Sequence, residues 1–169
     1  VGPSGAGKST RLLHLSGLLP ERLPSEAEAS VFLDGSPITA RTAAEARRQV
    51  GFLFQDPDDQ LFCPTVREDV AFGPLNLGLP RDEVLRRVGE SLEAVGLPGA
   101  HADRSTLQLS VGERKRVCLA GILACGPSLL ALDEPTANLD PRARRNLLKI
   151  LDGFAGCQII ATHDLDFVV

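Results

Sequence analysis

The chain has 169 residues, 43% of them hydrophobic and 24% charged, with a net charge of −4 at pH 7. That balance is ordinary for a globular domain large enough to hold a core, and the acidic charge disfavours nucleic acid, whose partners show a basic face. No apolar run approaches the ~18 residues that a bilayer-spanning helix needs. Nothing in the sequence is therefore expected to span a bilayer.

In chain order, a glycine-rich loop opens the sequence. Leu12, Leu13, Leu15, Leu18 and Leu19 then form an apolar helical stripe, with Pro20 and Pro24 expected to end the helix. Val31, Phe32 and Leu33 before Asp34-Gly35 read as a short strand and a turn. Residues 43–49 read as a short polar helix, residues 50–54 as an apolar strand, and residues 55–64 as polar and turn-rich. Val84, Leu85, Val88, Leu92 and Val95 mark an amphipathic helix closed by Gly96 and Pro98. A further helix starts near Ser110 and reaches about Ala124. Residues 129–132 form a buried strand ending in Asp133-Glu134. Asp140-Pro141 starts another helix, with Asp as cap and Pro in the first turn, and residues 158–162 form the last strand.

Strands alternating with helices predict a parallel α/β sheet. The segment from about Thr65 to Ala124 holds helices without clear strands and suggests a helical lobe. The first residue is Val1 and no Met occurs, so the chain is expected to be a fragment, lacking N-terminal strands and also trimmed at its end. The four cysteines, Cys63, Cys118, Cys125 and Cys157, show no CxxC pair and are expected to be free, buried thiols of a reducing cytoplasm. With His14, His101 and His163 scattered, zinc is not expected.

Gly2-Pro3-Ser4-Gly5-Ala6-Gly7-Lys8-Ser9 fits the phosphate-loop pattern G-x-x-x-x-G-K-[ST]. Glycines let backbone N–H groups curl round phosphate oxygens, and the following helix presents its positive end. Residues 2–10, including Thr10, are the expected nucleotide-binding segment. Lys8 would reach the β- and γ-phosphates and Ser9 would hold Mg²⁺. Asp133 would lie near the same ion at the carboxyl edge of the sheet. Glu134 would act as general base toward the attacking water, although an Asp-Glu pair after a strand is also a common helix cap. Ser110 and Glu113 have the spacing of a capping box. An exposed helix start is equally an anion site, so both readings stand.

Taken together and in order, the phosphate loop, Gln55 after a strand, Leu109-Ser110-Val111-Gly112-Glu113, the acidic strand end, Asn138-Leu139-Asp140 and His163 after the last strand resemble the ATP-binding-cassette family. The resemblance implies a phosphate-loop NTPase core at 1–55 and 126–169, with a helical subdomain at 56–125 carrying the signature. It implies ATP and Mg²⁺ as cofactors, with Gln55 touching Mg²⁺ and the attacking water and His163 reaching the γ-phosphate. It also implies a homodimer or heterodimer in which Ser110 and Gly112 meet the partner's nucleotide and Asp140 lies in the loop facing the partner. A transmembrane subunit would complete a transporter, placing the chain in the cytoplasm on the inner face of the membrane.

Gln55-Asp56-Pro57-Asp58-Asp59-Gln60-Leu61-Phe62, Val70-Ala71-Phe72-Gly73-Pro74, Lys115-Arg116-Val117 and Ala120-Gly121 are similar to the energy-coupling-factor group and the cobalt and nickel importers. This implies a docking groove beside Gln55, with Leu61 and Phe62 either lining it or sitting in the core. Val111 departs from the family's glycine. A β-branched side chain resists φ > 0 and crowds a phosphate, so weakened ATP-driven closure is expected there. The family's adenine-stacking aromatic precedes the phosphate loop and has no counterpart from Val1 onward.

Other readings are a non-transport ATPase of the same fold acting on DNA, a GTPase or small-molecule kinase, and a degenerate nucleotide-gated partner subunit. About a hundred residues, without sustained heptads, separate Lys8 from Ser110, which disfavours the first. The absence of an Asn-Lys-x-Asp motif disfavours the second. Glu134 and His163 disfavour the third, and Val111 favours it.

Overall fold

The computed structural model describes residues 2, 6–20 and 22–164. The chain runs α1 (Lys8–Leu15), a two-strand hairpin of β1 (Phe32–Leu33) and β2 (Ser36–Pro37), α2 (Ala43–Gln49), β3 (Val50–Leu53), α3 (Val66–Asn76), α4 (Arg81–Ala94), α5 (Val111–Ala124), β4 (Leu129–Asp133), α6 (Pro141–Asp152) and β5 (Cys157–Ala161). Among the described residues, β3, β4 and β5 form one parallel sheet with β4 in the middle. A parallel pair needs a long crossover. Helices α3 to α5 fill the first crossover, and α6 fills the second.

The sheet is covered on both faces, which explains why β4 is apolar at successive positions. Leu130 and Leu132 join Leu53 in a core with Val66, Val70, Val88, Leu92, Val117, Leu119, Leu147 and Leu151. Ala131 faces the other way with Val50, Ala161 and Leu12 of α1. The first core is continuous from the sheet through α3, α4 and α5, so the inserted helices share it with the strands.

Three expectations need correction. Helix α1 ends at Leu15, before Leu18 and Leu19, because Gly17 takes φ 68°. Its N–H donates to His14 O and that of Leu18 to Leu13 O, a Schellman closure that stops the helix ahead of Pro20. Helix α3 was not legible as a separate element, since Gly73 and Pro74 interrupt its pattern. Pro74 lies in the last turn, where it cannot donate to the carbonyl four residues back, and the helix ends two residues later at Asn76. The thiols are free, but only Cys118 is buried, and Cys157 is exposed. Burial, with Asp69 nearby, pushes the Cys118 thiol up to about 12. No helix among the described residues is long and apolar enough to cross a membrane.

Candidate active site

Parallel pairing carries the carboxyl ends of β3, β4 and β5 to one edge. Leu53 pairs with Leu132, and Asp133 pairs with Ala161. Gln55, Glu134 and His163, each just beyond its strand, are thereby brought to the same edge. Helix α1 starts against it. Gly7 caps α1 at φ 76°, ψ 19°, a conformation open to glycine without strain. Lys8 follows as the first helical residue, and its Nζ donates to Gly2 O at 2.8 Å. The same Nζ lies 3.4 Å from Glu134 Oε1. Pro3, Ser4 and Gly5 lie outside the described residues. Ala6 and Thr10 are exposed and Ser9 is half-buried.

Glu134 is 6% exposed, and its backbone takes φ 45°, a region that a non-glycine residue occupies only where its surroundings demand it. Its N–H donates to Ala161 O at 2.8 Å, tying the turn to β5. Its Oε2 accepts from the His163 backbone N–H at 3.2 Å and lies 2.9 Å from His163 Nδ1. Burial alone would raise this carboxyl's pKa. The His163 hydrogen bonds and the nearby Lys8 outweigh it and hold Glu134 below the usual carboxylate range. The carboxylate is therefore ionised and able to accept a proton, while the partners that lower its pKa also make it a weaker base.

Asp133 is 6% exposed. Its Oδ1 is buried and has no hydrogen-bond partner among the described residues. A buried acceptor of this kind is costly unless a cation meets it. Ser9 and Gln55 also carry side-chain oxygens, the donor type that Mg²⁺ takes, so these three residues are the candidates to hold it.

The other predicted residues form a second group. Ser110 caps α5 through a reciprocal box: Glu113 N–H donates to Ser110 Oγ at 3.3 Å, and Glu113 Oε2 accepts from Ser110 N–H at 2.8 Å and from Ser110 Oγ at 2.9 Å. Gly112 packs where a Cβ would stand 3.0 Å from the Ala143 Cβ of α6. Asp140 caps α6, accepting from Arg142 N–H at 2.8 Å and Ala143 N–H at 2.9 Å. These two backbone bonds lower its pKa. Val111 is the first helical residue of α5 and does not have positive φ. The backbone part of the expected Val111 penalty is therefore overturned, and only its bulk remains.

The family model described as ABC transporter matches residues 1–137. The chain belongs to the ABC transporter family. An ABC transporter ATP-binding protein of Gloeobacter violaceus is 52% identical over 170 residues, covering 100% of this chain and 68% of the relative. The energy-coupling factor transporter ATP-binding protein EcfA of Methanocaldococcus jannaschii is 49% identical, covering 99% of this chain and 60% of that one. Among solved structures, CbiO1 from Clostridium perfringens, described as part of the ABC transporter complex cbiONQ, superposes with a TM-score of 0.84 at 38% identity, over 99% of this chain and 67% of that one. A dimeric ATP-binding cassette in a post-hydrolysis state with ADP and Pi gives a TM-score of 0.80 at 28% identity, over 98% and 74% of the two chains. This ABC chain thus spans about 60% to 68% of the curated relatives named here. The phosphate-loop NTPase fold and the energy-coupling-factor resemblance expected from the sequence are borne out.

Two residues of this ABC domain that the sequence offered only inside longer motifs make contacts of their own. Gln60 binds the end of β3 from both sides, its Nε2 donating to Phe52 O and its Oε1 accepting from Phe54 N–H, each at 3.3 Å. This fixes the exit toward Gln55. Lys115 is 1% exposed, inside a helix face otherwise made of Cys118, Leu119 and Ile122. A lysine in an apolar stripe at helical spacing was the available signal that it has a buried partner.

Proposed function

We propose that this chain binds ATP with Mg²⁺ and hydrolyses it as the motor subunit of an ABC importer. The observation that carries this reading is the junction at Glu134, where Lys8 approaches one carboxylate oxygen at 3.4 Å and His163 the other at 2.9 Å. In this reading the backbone of residues 2–10 and the Lys8 ammonium hold the phosphates. Ser9, Gln55 and Asp133 hold Mg²⁺, which when bound spreads the charge of the phosphate oxygens. Glu134, kept ionised, takes the proton of the attacking water, and His163 orients that carboxylate. Ser110, Gly112 and Asp140 face the partner protomer of a dimer.

The importer assignment is supported by the EcfA relative and by the cbiONQ neighbour. The cargo read from that resemblance is a metal ion such as cobalt or nickel, or a vitamin, delivered through a transmembrane subunit at the inner membrane face. Phe62 and Phe72 give that subunit a place to dock. Both are exposed, and their rings meet edge-on at 4.6 Å beside a groove that also includes Phe52, Gln60 and Leu77. Leu61 instead packs against the core. The test is ATP turnover by the intact native protein. Glu134→Gln is expected to lower kcat by about 10²-fold or more while ATP still binds. Turnover within a few-fold of native would remove Glu134 from the role.

A further inference from the structure

Lys115 joins the two groups of site residues. It lies in the second turn of α5, the helix whose start carries Ser110 and Gly112. Its side chain runs inward, and its Nζ donates to Glu134 O at 3.2 Å, Pro135 O at 3.1 Å and Ala137 O at 2.9 Å. Three carbonyls use all three N–H bonds of one ammonium. The segment so held begins at Glu134, φ 45°, and runs up to Asn138, φ 60°. Two non-glycine residues at positive φ persist only where the surroundings over-determine them. The Glu134 and Pro135 residues are themselves buried, so their carbonyls need partners inside the protein.

We infer that Lys115 is a positioning residue for ATP hydrolysis: it bolts the backbone of residues 134–137 to the first turns of α5 and so sets where the Glu134 carboxylate stands. The inference rests on the proposed function above, and it adds a direction of communication. In a dimer where Ser110 and Gly112 meet the partner's nucleotide, a shift of the α5 start is passed by one side chain to the same protomer's own base. Misplacing a catalytic group by about 1 Å is enough to cost about 10²-fold in rate.

The experiment uses the intact native protein with Lys115→Met, which keeps length and apolar volume without the donors, and Lys115→Gln, which keeps an N–H donor. Steady-state ATP turnover and equilibrium binding of a fluorescent ATP analogue are read for each. The expected result is a kcat lowered by at least about tenfold in Lys115→Met with Kd changed by less than about threefold, and a kcat several-fold higher in Lys115→Gln than in Lys115→Met. Native-like kcat in Lys115→Met overturns the inference. So does a parallel loss of binding and turnover, which marks a merely structural lysine, and so does a Gln variant no faster than the Met one. If Lys115→Met does not fold, Lys115→Gln decides alone: lowered kcat at unchanged Kd supports the inference, and any other pattern overturns it. A native protein without ATP turnover defeats the proposed function itself, whereas an active native protein matched by its variants defeats only the role of Lys115.

Discussion

Glu134 carries opposing demands at one residue. Burial favours the neutral acid, while His163 and Lys8 favour the carboxylate, and the second effect wins. Its backbone is left-handed, φ 45°, and its side chain meets His163 just beyond the end of β5. Sequence spelled both residues but not this contact, because they are 29 positions apart and meet only through strand pairing. Val111 shows the reverse. The sequence predicted strain from φ, yet as the first residue of α5 it takes an ordinary helical turn. What remains is the bulk of its side chain beside Ser110 and Gly112, where a partner's nucleotide would close. Replacing it, Val111→Gly, is expected to raise ATP turnover of the intact protein a few-fold, under about 1 kcal/mol of barrier. No gain in rate, with the folded fraction checked by circular dichroism, means that the isopropyl group does not obstruct closure.

At the scale of elements, the helices with caps written in short sequence windows were the legible ones. Ser110 and Glu113 three residues on, and Asp140 before Pro141, predicted starts that the structure confirms. Gly96 at φ 69° likewise ends α4 as its position implied. Where two punctuators competed, sequence reasoning chose the wrong one: Pro20 looked decisive, but Gly17 acts first by closing α1 with its own N–H. The α5 box also has a measurable acid limit. The Ser110 backbone N–H, then Ser110 Oγ and Arg104, hold Glu113 at about 2 against an ordinary 4.5. A carboxylate depressed in the folded state contributes stability that is complete above its unfolded pKa and is lost as pH falls through the folded one. In urea unfolding of the intact protein, the stability gap between native and Glu113→Gln is therefore expected to be constant near neutrality and to close from about pH 4.5 toward about pH 2. A gap independent of pH would assign the cap's contribution to the hydrogen bonds of a neutral side chain.

At the scale of the molecule, the two groups of predicted residues stand on different parts of one fold. Gly7, Lys8, Asp133, Glu134 and His163 belong to the strand edge. Ser110, Gly112 and Asp140 gather at the starts of α5 and α6, where Gly112 lets the helices approach. In the proposed dimer a second copy, or a related subunit, would bring its Ser110 group to this edge. The expected consequence is that Glu134→Gln protein, slow in hydrolysis, runs as a dimer with ATP and as a monomer without it in size-exclusion chromatography with light scattering. A monomer in both conditions means that the site does not close on a second copy.

The sequence by itself determined the phosphate-loop spelling, the acidic end of an apolar strand and the helix caps, because each depends on residues close together in the chain, and the family, because those motifs follow one another in order. The tertiary structure alone decided that Lys8, Glu134 and His163 meet, that Asp133 has a buried oxygen with no hydrogen-bond partner among the described residues, and that Lys115 spans from α5 to the loop after β4. These are contacts between segments distant in sequence, set by the register of three parallel strands and by the packing of inserted helices onto them, and no local window of residues encodes that register.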